Sequence, residues 1–170
     1  MLTRFLAAVF LCLALTGCIL QSKEPLFTDS QGELMLAAYG SRFASYSLDN
    51  GIWKKDEETI SFTPAGKHYS ASDGKTDFTV TFAAIGGSWW AMQGQEKGKP
   101  ANYYLADAQN GEIFFHPLAC KQLQDSAKFG DFIYFKDDDC FVKNGVDTAA
   151  MFKSLAAERR QPGMKLVPLP

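Results

Sequence analysis

The stretch DFTVTFAAI, residues 77–85, decides the fold class of this chain. Within it Phe78, Val80 and Phe82 alternate with two threonines. Because successive side chains of a strand point to opposite faces, this alternation predicts a strand with one buried face and one solvated face. Two glycines follow and favour a tight turn, so the next run of chain is expected to return as an antiparallel partner.

Comparable runs rich in aromatic and β-branched residues lie on both sides of this stretch, separated by clusters of Gly, Pro, Asn and Asp. They predict strands at 51–55, 59–63, 67–72, 77–85, 88–95, 102–107, 112–116, 131–136 and 139–143. Short strands at such regular spacing favour a closed or nearly closed meander, because closure removes the exposed edges of a sheet. The sequence therefore predicts a mainly β fold, a small antiparallel barrel of about 8–9 strands.

A single helix is predicted at 147–160, after the strands. Asp147 is its expected N-cap, and an apolar stripe marks its buried face: Met151, Phe152, Leu155 and Ala156. The tail MKLVPLP, residues 164–170, is expected to lie on the barrel as a last extended segment. For ELMLAAYGSRFASY, residues 33–46, both a short helix and a first strand remain open.

Near the start of the chain, one basic residue, Arg4, is followed by an apolar run from Phe5 to Leu15. This run is too short to span a bilayer, which needs about 20 helical residues. This pattern is typical of a secretory signal. At its end, Leu15-Thr16-Gly17-Cys18 resembles the lipobox of bacterial lipoproteins. The resemblance implies cleavage before Cys18, a diacylglyceryl group on its thiol, and an acyl chain such as palmitate on its new amino group. Cys12 would leave with the signal.

The same resemblance implies a domain organisation and a location. Residues 1–17 would be the signal peptide, 18–32 the lipidated N-terminus and a polar tether, and 33–170 a single domain. The residue after Cys18 is Ile19 and not Asp, which favours the outer membrane, with the domain facing the periplasm. The bilayer, reached through the acylated N-terminus, is thus the first expected partner.

Two further cysteines, Cys120 and Cys140, form the only remaining pair in what is expected to be an exported chain. Such a pair favours a disulfide, and an oxidising periplasm favours a two-membrane bacterium as the source. A metal site is the alternative, because His116 stands four residues before Cys120 and three aspartates, 137–139, precede Cys140. The disulfide is favoured because the second half of that site lacks a paired His or Cys.

Motifs of catalysis and of nucleic-acid binding are missing from the sequence. It contains no Gly-x-Ser-x-Gly, Walker loop, His-Glu-x-x-His or Rossmann glycine pattern, and only two histidines, His68 and His116. The net charge is −2 and no basic run is present beyond Arg159-Arg160, so binding to phosphate backbones has no support. We expect a protein that is not an enzyme and that carries no cofactor apart from its covalent lipid.

The chain is rich in aromatic residues, with 14 Phe, 6 Tyr and 3 Trp. Three doublets lie in predicted strands, so one member of each is expected inside the barrel and the other outside: Trp89-Trp90, Tyr103-Tyr104 and Phe114-Phe115. The outward members would form an apolar stripe. Either the C-terminal helix covers this stripe, or Trp89, Trp90, Tyr103 and Tyr104 contribute to a binding surface.

Gly51-Ile52-Trp53, at the start of the first clear strand, resembles the Gly-x-Trp opening of lipocalins, and Thr76-Asp77-Phe78 is similar to their Thr-Asp-Tyr motif. The resemblance implies a lipocalin-like barrel followed by a helix. Two functions follow: a non-catalytic envelope module that binds an envelope protein at its surface, or a carrier that holds a small apolar ligand in its interior. Because bulky Phe78, Val80 and Phe82 are expected to fill the barrel, the surface module is favoured.

Overall fold

The computed structural model describes residues 18–170, and antiparallel strands form most of this part of the chain. The strands are β1 (Gln21–Ser22), β2 (Arg42–Asp49), β3 (Ile52–Ala65), β4 (His68–Ser72), β5 (Asp77–Gly86), β6 (Trp89–Glu96), β7 (Ala101–Gln109), β8 (Glu112–Pro117), β9 (Ile133–Lys136), β10 (Asp139–Val142) and β11 (Met164–Pro168). Two α-helices, α1 (Cys120–Gln124) and α2 (Thr148–Ala157), follow β8 and β10. Short 3-10 helices lie at Asp29–Gln31, Met35–Ala38 and Ala127–Phe129.

Eight strands close into a barrel, which confirms the predicted fold class. Strands β2 to β8 follow one another as an antiparallel meander, and β11 closes the circle between β8 and β2. The tail that was expected to lie on the barrel is therefore one of its strands. Because every barrel strand has two neighbours, the barrel itself leaves no open edge.

Several predicted elements differ from those observed. The runs at 51–55 and 59–63 are one long strand, β3, which continues through a register shift opposite β2 at Ala44 and Tyr46. The runs at 131–136 and 139–143 form the β9–β10 hairpin outside the barrel, where β10 pairs with β1 and β1 pairs with the start of β7. The ambiguous stretch 33–46 contains both a 3-10 helix and the start of β2.

The barrel interior is filled by apolar side chains. They include Phe43, Ile60, Phe62, Tyr69, Phe78, Val80, Phe82, Met92, Tyr104, Ile113, Phe115, Met164 and Leu166. Phe82 on β5 and Phe115 on β8 come from nearly opposite walls, yet their ring centroids are 6.3 Å apart. Leu36, fully buried in the second 3-10 helix, joins the same cluster. The interior is therefore a packed core around Phe82 and Phe115.

A second apolar cluster lies outside the barrel, between the outer face of β5–β7 and the elements that cover it. Its covering members come from α1, α2 and the β9–β10 hairpin: Cys120, Leu123, Ile133, Cys140, Val142, Met151, Phe152 and Leu155. The predicted N-cap of α2 is confirmed, because the Asp147 side chain accepts a hydrogen bond from the Ala150 N–H at 3.0 Å. The apolar stripe that the sequence predicts for this helix packs into this cluster.

The segment 18–32 was predicted to be a polar tether, and the structure corrects this. Leu20 is fully buried and Phe27 is only 7 % exposed, so the two apolar side chains hold the segment against the barrel. The Gln93 side chain bonds both backbone groups of Phe27, at 2.9 and 3.2 Å. The segment is therefore part of the folded domain. The predicted signal peptide, residues 1–17, lies outside the described residues.

Candidate functional site

Cys18, the predicted lipid attachment point, lies at the edge of the outer cluster. Its side chain is half-buried and belongs to no disulfide. A hydrogen bond with Asp139, and secondarily burial, raise the pKa of the Cys18 thiol. The backbone carbonyl of Cys18 accepts a hydrogen bond of 2.7 Å from the N–H of Cys120. The predicted attachment point is thus adjacent to α1, with no free chain between it and the domain.

The predicted disulfide between Cys120 and Cys140 is confirmed. The two Cα atoms are 5.3 Å apart, and the bond joins α1 to β10 inside the outer cluster. Because both sulfur atoms are bonded to each other, the alternative metal site with cysteine ligands is not formed. Among residues 18–170, no group of three or more His, Cys, Asp and Glu side chains is arranged to hold a metal ion.

The aromatic doublets alternate between inside and outside as predicted. Tyr104 lies inside the barrel, whereas Tyr103 lies in the outer cluster, where its ring packs 5.7 Å from that of Phe152 on α2. Trp89 packs against the outer cluster and Trp90 against the inner one, and both are half-buried. Of the four residues predicted for a binding surface, only the two tryptophans reach solvent.

Tyr103 is the centre of a buried polar network that sequence reasoning did not reveal. Its hydroxyl bonds the Ser22 hydroxyl at 2.6 Å, the Leu26 N–H at 3.0 Å and the Gln93 side-chain carbonyl at 3.0 Å. Burial raises the pKa of Tyr103. The network ties the N-terminal segment to β6 and β7, so Tyr103 has a structural role in place of the predicted surface role.

His116 and Asp107 form a buried pair on the outer face of β7 and β8. The Nε2 atom of His116 is 2.7 Å from Asp107 Oδ1, and its Nδ1 atom is 2.6 Å from the carbonyl oxygen of Arg160. The Gln109 side-chain amide donates to the other oxygen of Asp107. The carboxylate of Asp107 and the carbonyl of Arg160 therefore engage both ring nitrogens of His116. Neither nitrogen is free to act as a base.

A cleft of about 670 Å³ lies beside this pair, between the end of α2 and the β5–β6 turn. Its apolar wall includes Ile85 and Trp89, and the Trp89 ring lies 4.8 Å from that of His116. Lys153 and Arg159 are exposed at its rim. None of the described residues that line the cleft carries a carboxylate.

Arg160 holds the end of α2 against the rest of the outer layer. Its guanidinium donates to Glu158 at 2.7 Å and to Gln122 at 3.1 Å, and it lies over the ring of Phe129. The side chain is 8 % exposed, and burial lowers the pKa of Arg160 while Glu158 opposes that change. Arg160 therefore fixes the position of the carbonyl that His116 bonds.

Sequence reasoning missed this cleft because its residues come from separate parts of the chain. The sequence did contain one indication that Asp107 and His116 lie close together. Asn110-Gly111 favours a two-residue hairpin, and the observed register pairs Gln109 with Glu112. That register places Asp107 and His116 diagonally on one face. The contribution of α2 depends on how the helix packs, which no local pattern reveals.

Trp53, the residue that carries the lipocalin resemblance, lies on the outer face of the barrel. It follows the β2–β3 turn, so it opens the second barrel strand and not the first. Its ring packs on Phe114, and the Lys165 ammonium lies 5.3 Å from its centroid. Comparisons with protein-family models, with curated proteins and with solved structures find no match for the chain.

Proposed function

We propose that the protein is a lipid-anchored lipoprotein of the bacterial cell envelope that acts as a non-catalytic binding or interaction module. The observation that carries the proposal is Leu15-Thr16-Gly17-Cys18 at the end of a short apolar run. The half-buried Cys18 side chain at the edge of the domain supports it, since a thioether-linked lipid has room to leave the fold there. No helix within residues 18–170 has the length and apolar character needed to cross a bilayer.

The disulfide supports an exported location. Cys120 and Cys140 are joined, and such bonds persist in oxidising compartments such as the periplasm. Ile19 after the lipidated cysteine favours the outer membrane as the destination, with the domain facing the periplasm. Two or more acyl chains on Cys18 would anchor the protein stably, because each buried CH₂ contributes about 0.8 kcal/mol.

A non-catalytic role is supported by the engagement of the groups best suited to catalysis. His116 uses both ring nitrogens, and His68 bonds Asp29 at the surface at 2.7 Å. The thiols of Cys120 and Cys140 are consumed by the disulfide. The proposed role is therefore recognition of another envelope component.

The alternative function, a carrier of a small apolar ligand, is compatible with the barrel fold but opposed by its interior. Ligand sites of this kind are cavities of roughly 300–1,000 Å³. Here the rings of Phe82 and Phe115 extend from nearly opposite walls and meet in the barrel, with their centroids 6.3 Å apart. The ring centroid of Tyr69 lies 6.1 Å from that of Phe82. We therefore assign binding to the outer surface.

Lipidation is tested by expressing the full chain in a two-membrane bacterium and measuring intact mass and membrane fractionation. The expected protein lacks residues 1–17, carries the mass of a diacylglyceryl group and sediments with the outer membrane. Cys18→Ser is expected to lose the lipid mass and to leave the membrane fraction. Cys12→Ser, a matched cysteine change inside the signal, is expected to alter neither. Membrane retention of Cys18→Ser at the original level would refute the anchor.

A further inference from the structure

We propose that the cleft beside Trp89 binds a small organic anion, a carboxylate or phosphate ester carried on a flat apolar body. The inference gives a ligand class to the binding module proposed above. It depends on the geometry of the folded domain and not on the lipid, so the two proposals are tested separately.

The charge of the cleft is the first argument. Lys153 and Arg159 are exposed at the rim, and neither forms an ion pair with any residue of the described chain. The nearby carboxylates are already engaged: Asp107 bonds His116, and Glu158 bonds Arg160 and contacts Lys128. The cleft is thus locally positive in a chain whose net charge is −2. Such a local field attracts anions.

The helix dipole of α2 could by itself explain why cations lie near the end of the helix, but it does not explain the position of both cations beside the cleft. Cations near a helix C-terminus are favourable because they face the negative end of the helix dipole. That effect acts within the last turn and explains Arg159 better than Lys153, which lies in the helix interior. It also does not explain why the cations border a cleft walled by Trp89 and Ile85.

The apolar wall of the cleft is the second argument, because it is flat and held rigidly. The indole of Trp89 is half-buried and packs against His116 at 4.8 Å between ring centroids. Hydrogen bonds at both ring nitrogens fix His116 to Asp107 and to the carbonyl of Arg160. The Trp89 ring therefore packs against a histidine whose own position is fixed by hydrogen bonds. A preorganised aromatic surface lowers the cost of binding a flat ligand.

The buried pair beneath the cleft is a third argument. His116 is 5 % exposed and Asp107 2 % exposed. Burying a hydrogen-bonded pair of ionisable side chains adds little stability compared with apolar residues of similar size, because both groups lose their hydration. Its benefit here is positional: it holds Trp89 and the end of α2 in fixed relation across the cleft.

The experiment compares three ligands of matched shape: naphthoate, naphthyl phosphate and the neutral naphthamide. Each is titrated into the protein purified from the envelope in non-ionic detergent, and binding is followed by calorimetry and by the NMR shift of the Trp89 indole N–H. We expect one or both anions to bind more tightly than naphthamide, with affinity that falls as salt rises. Whichever anion binds more tightly identifies carboxylate or phosphate as the preferred group.

The variant Lys153→Gln/Arg159→Asn removes both rim charges. Asn is chosen at position 159 because it accepts the positive φ of 45° found there. We expect anion affinity to fall about tenfold, equivalent to about 1.4 kcal/mol, with naphthamide unchanged. The control Lys54→Gln/Lys99→Gln removes two exposed charges elsewhere and should leave anion affinity intact.

Three results would overturn the proposal. Equal affinity for naphthoate, naphthyl phosphate and naphthamide would show that the cleft does not recognise charge. Unchanged anion affinity in the Lys153→Gln/Arg159→Asn variant would place any binding elsewhere. Binding without a shift of the Trp89 indole signal would do the same. None of these results bears on whether Cys18 carries lipid, so each proposal can fail alone.

Discussion

The backbone carbonyl of Cys18 accepts a hydrogen bond from the N–H of Cys120 at 2.7 Å, so the proposed lipid site and the disulfide lie on the same small part of the fold. Ile19 extends this contact through a β-bridge with Ala119, and Leu20 donates to the carbonyl of Leu118 at 2.8 Å. With lipid on Cys18, the acyl chains would leave directly from the folded domain. The anchor would then lie directly beside α1 and the disulfide.

The disulfide is expected to make a large contribution to stability, because it closes a loop with a sequence separation of 20 residues. Replacing both cysteines, Cys120→Ala/Cys140→Ala, should lower the free energy of unfolding by about 3 kcal/mol, measured by urea denaturation. The control Ser30→Ala, at an exposed position, should change it by less than about 0.5 kcal/mol. An unchanged midpoint for the double variant would contradict the prediction.

Gly32 is expected to tolerate no side chain. A Cβ atom there would lie 2.1 Å from the carbonyl oxygen of Lys67 and 3.2 Å from Thr81 Cγ2. Gly32→Ala should therefore push the N-terminal segment off the barrel and cost about 1–3 kcal/mol. Hydrogen exchange should show lost protection of the Glu33 amide, which donates to the Phe82 carbonyl at 2.7 Å.

Ser30→Ala is the control for that substitution, because Ser30 is exposed in the same segment. It should leave both the free energy of unfolding and the protection of Glu33 nearly unchanged. If Gly32→Ala behaves like Ser30→Ala, the close approach of this segment to the β3–β4 turn is not as described.

Phe82 is expected to be the residue that keeps the barrel closed to ligands. Phe82→Ala should cost about 3–5 kcal/mol, because the surrounding strands cannot fully collapse into the space. The apolar cavity that remains should bind benzene, which raises the thermal midpoint of the variant but not of the original protein. Phe114→Ala, a matched change on the outer face, should cost less and bind no benzene. Benzene stabilisation of the unaltered protein would favour the carrier function.

The strands with clear alternation were predictable from sequence, and those without it were not. Phe78, Val80 and Phe82 identify β5 because their alternation marks the face that is buried in the barrel. The other face was expected to be solvated, but Thr81, Ala83 and Ile85 on it are also buried, because α2 and the other outer elements cover it. The start of β2 is ambiguous in the sequence because it follows an Ala-rich 3-10 helix. In the sequence, β11 is a short tail that contains prolines and lacks a clear strand pattern. It becomes a barrel strand because it pairs with β2 and β8.

The N-terminal segment shows why polarity alone predicts packing poorly. Residues 18–32 are mostly polar, yet burial of Leu20 and Phe27 holds them on the barrel. The backbone N–H groups of Leu26 and Phe27 donate hydrogen bonds to Tyr103 and Gln93. Those partners are about 66 to 81 residues away in sequence. The cleft depends on similarly remote contacts, since α2 supplies Lys153 and the segment after it supplies Arg159, while β6 supplies Trp89.

Alkaline pH is expected to destabilise the protein through its buried tyrosines. Burial raises the pKa values of Tyr69, Tyr103 and Tyr104 in the folded state, whereas an unfolded tyrosine has a pKa of about 10. Folding therefore favours the neutral phenol. Its stabilising contribution is complete below about pH 10 and is lost as the pH rises further, because the unfolded chain releases protons that the folded chain retains.

The measurement is the free energy of unfolding in urea at a series of pH values from about 8 to 11, together with the phenolate absorbance of the folded protein. Tyr103→Phe removes one of the three phenols, so its stability should fall less steeply above about pH 10, although it starts lower because the Leu26 N–H loses its partner. Tyr134→Phe, at an exposed position, should retain the slope of the original protein. Equal slopes for Tyr103→Phe and the original protein would show that the Tyr103 phenol ionises as readily in the folded chain as in the unfolded one.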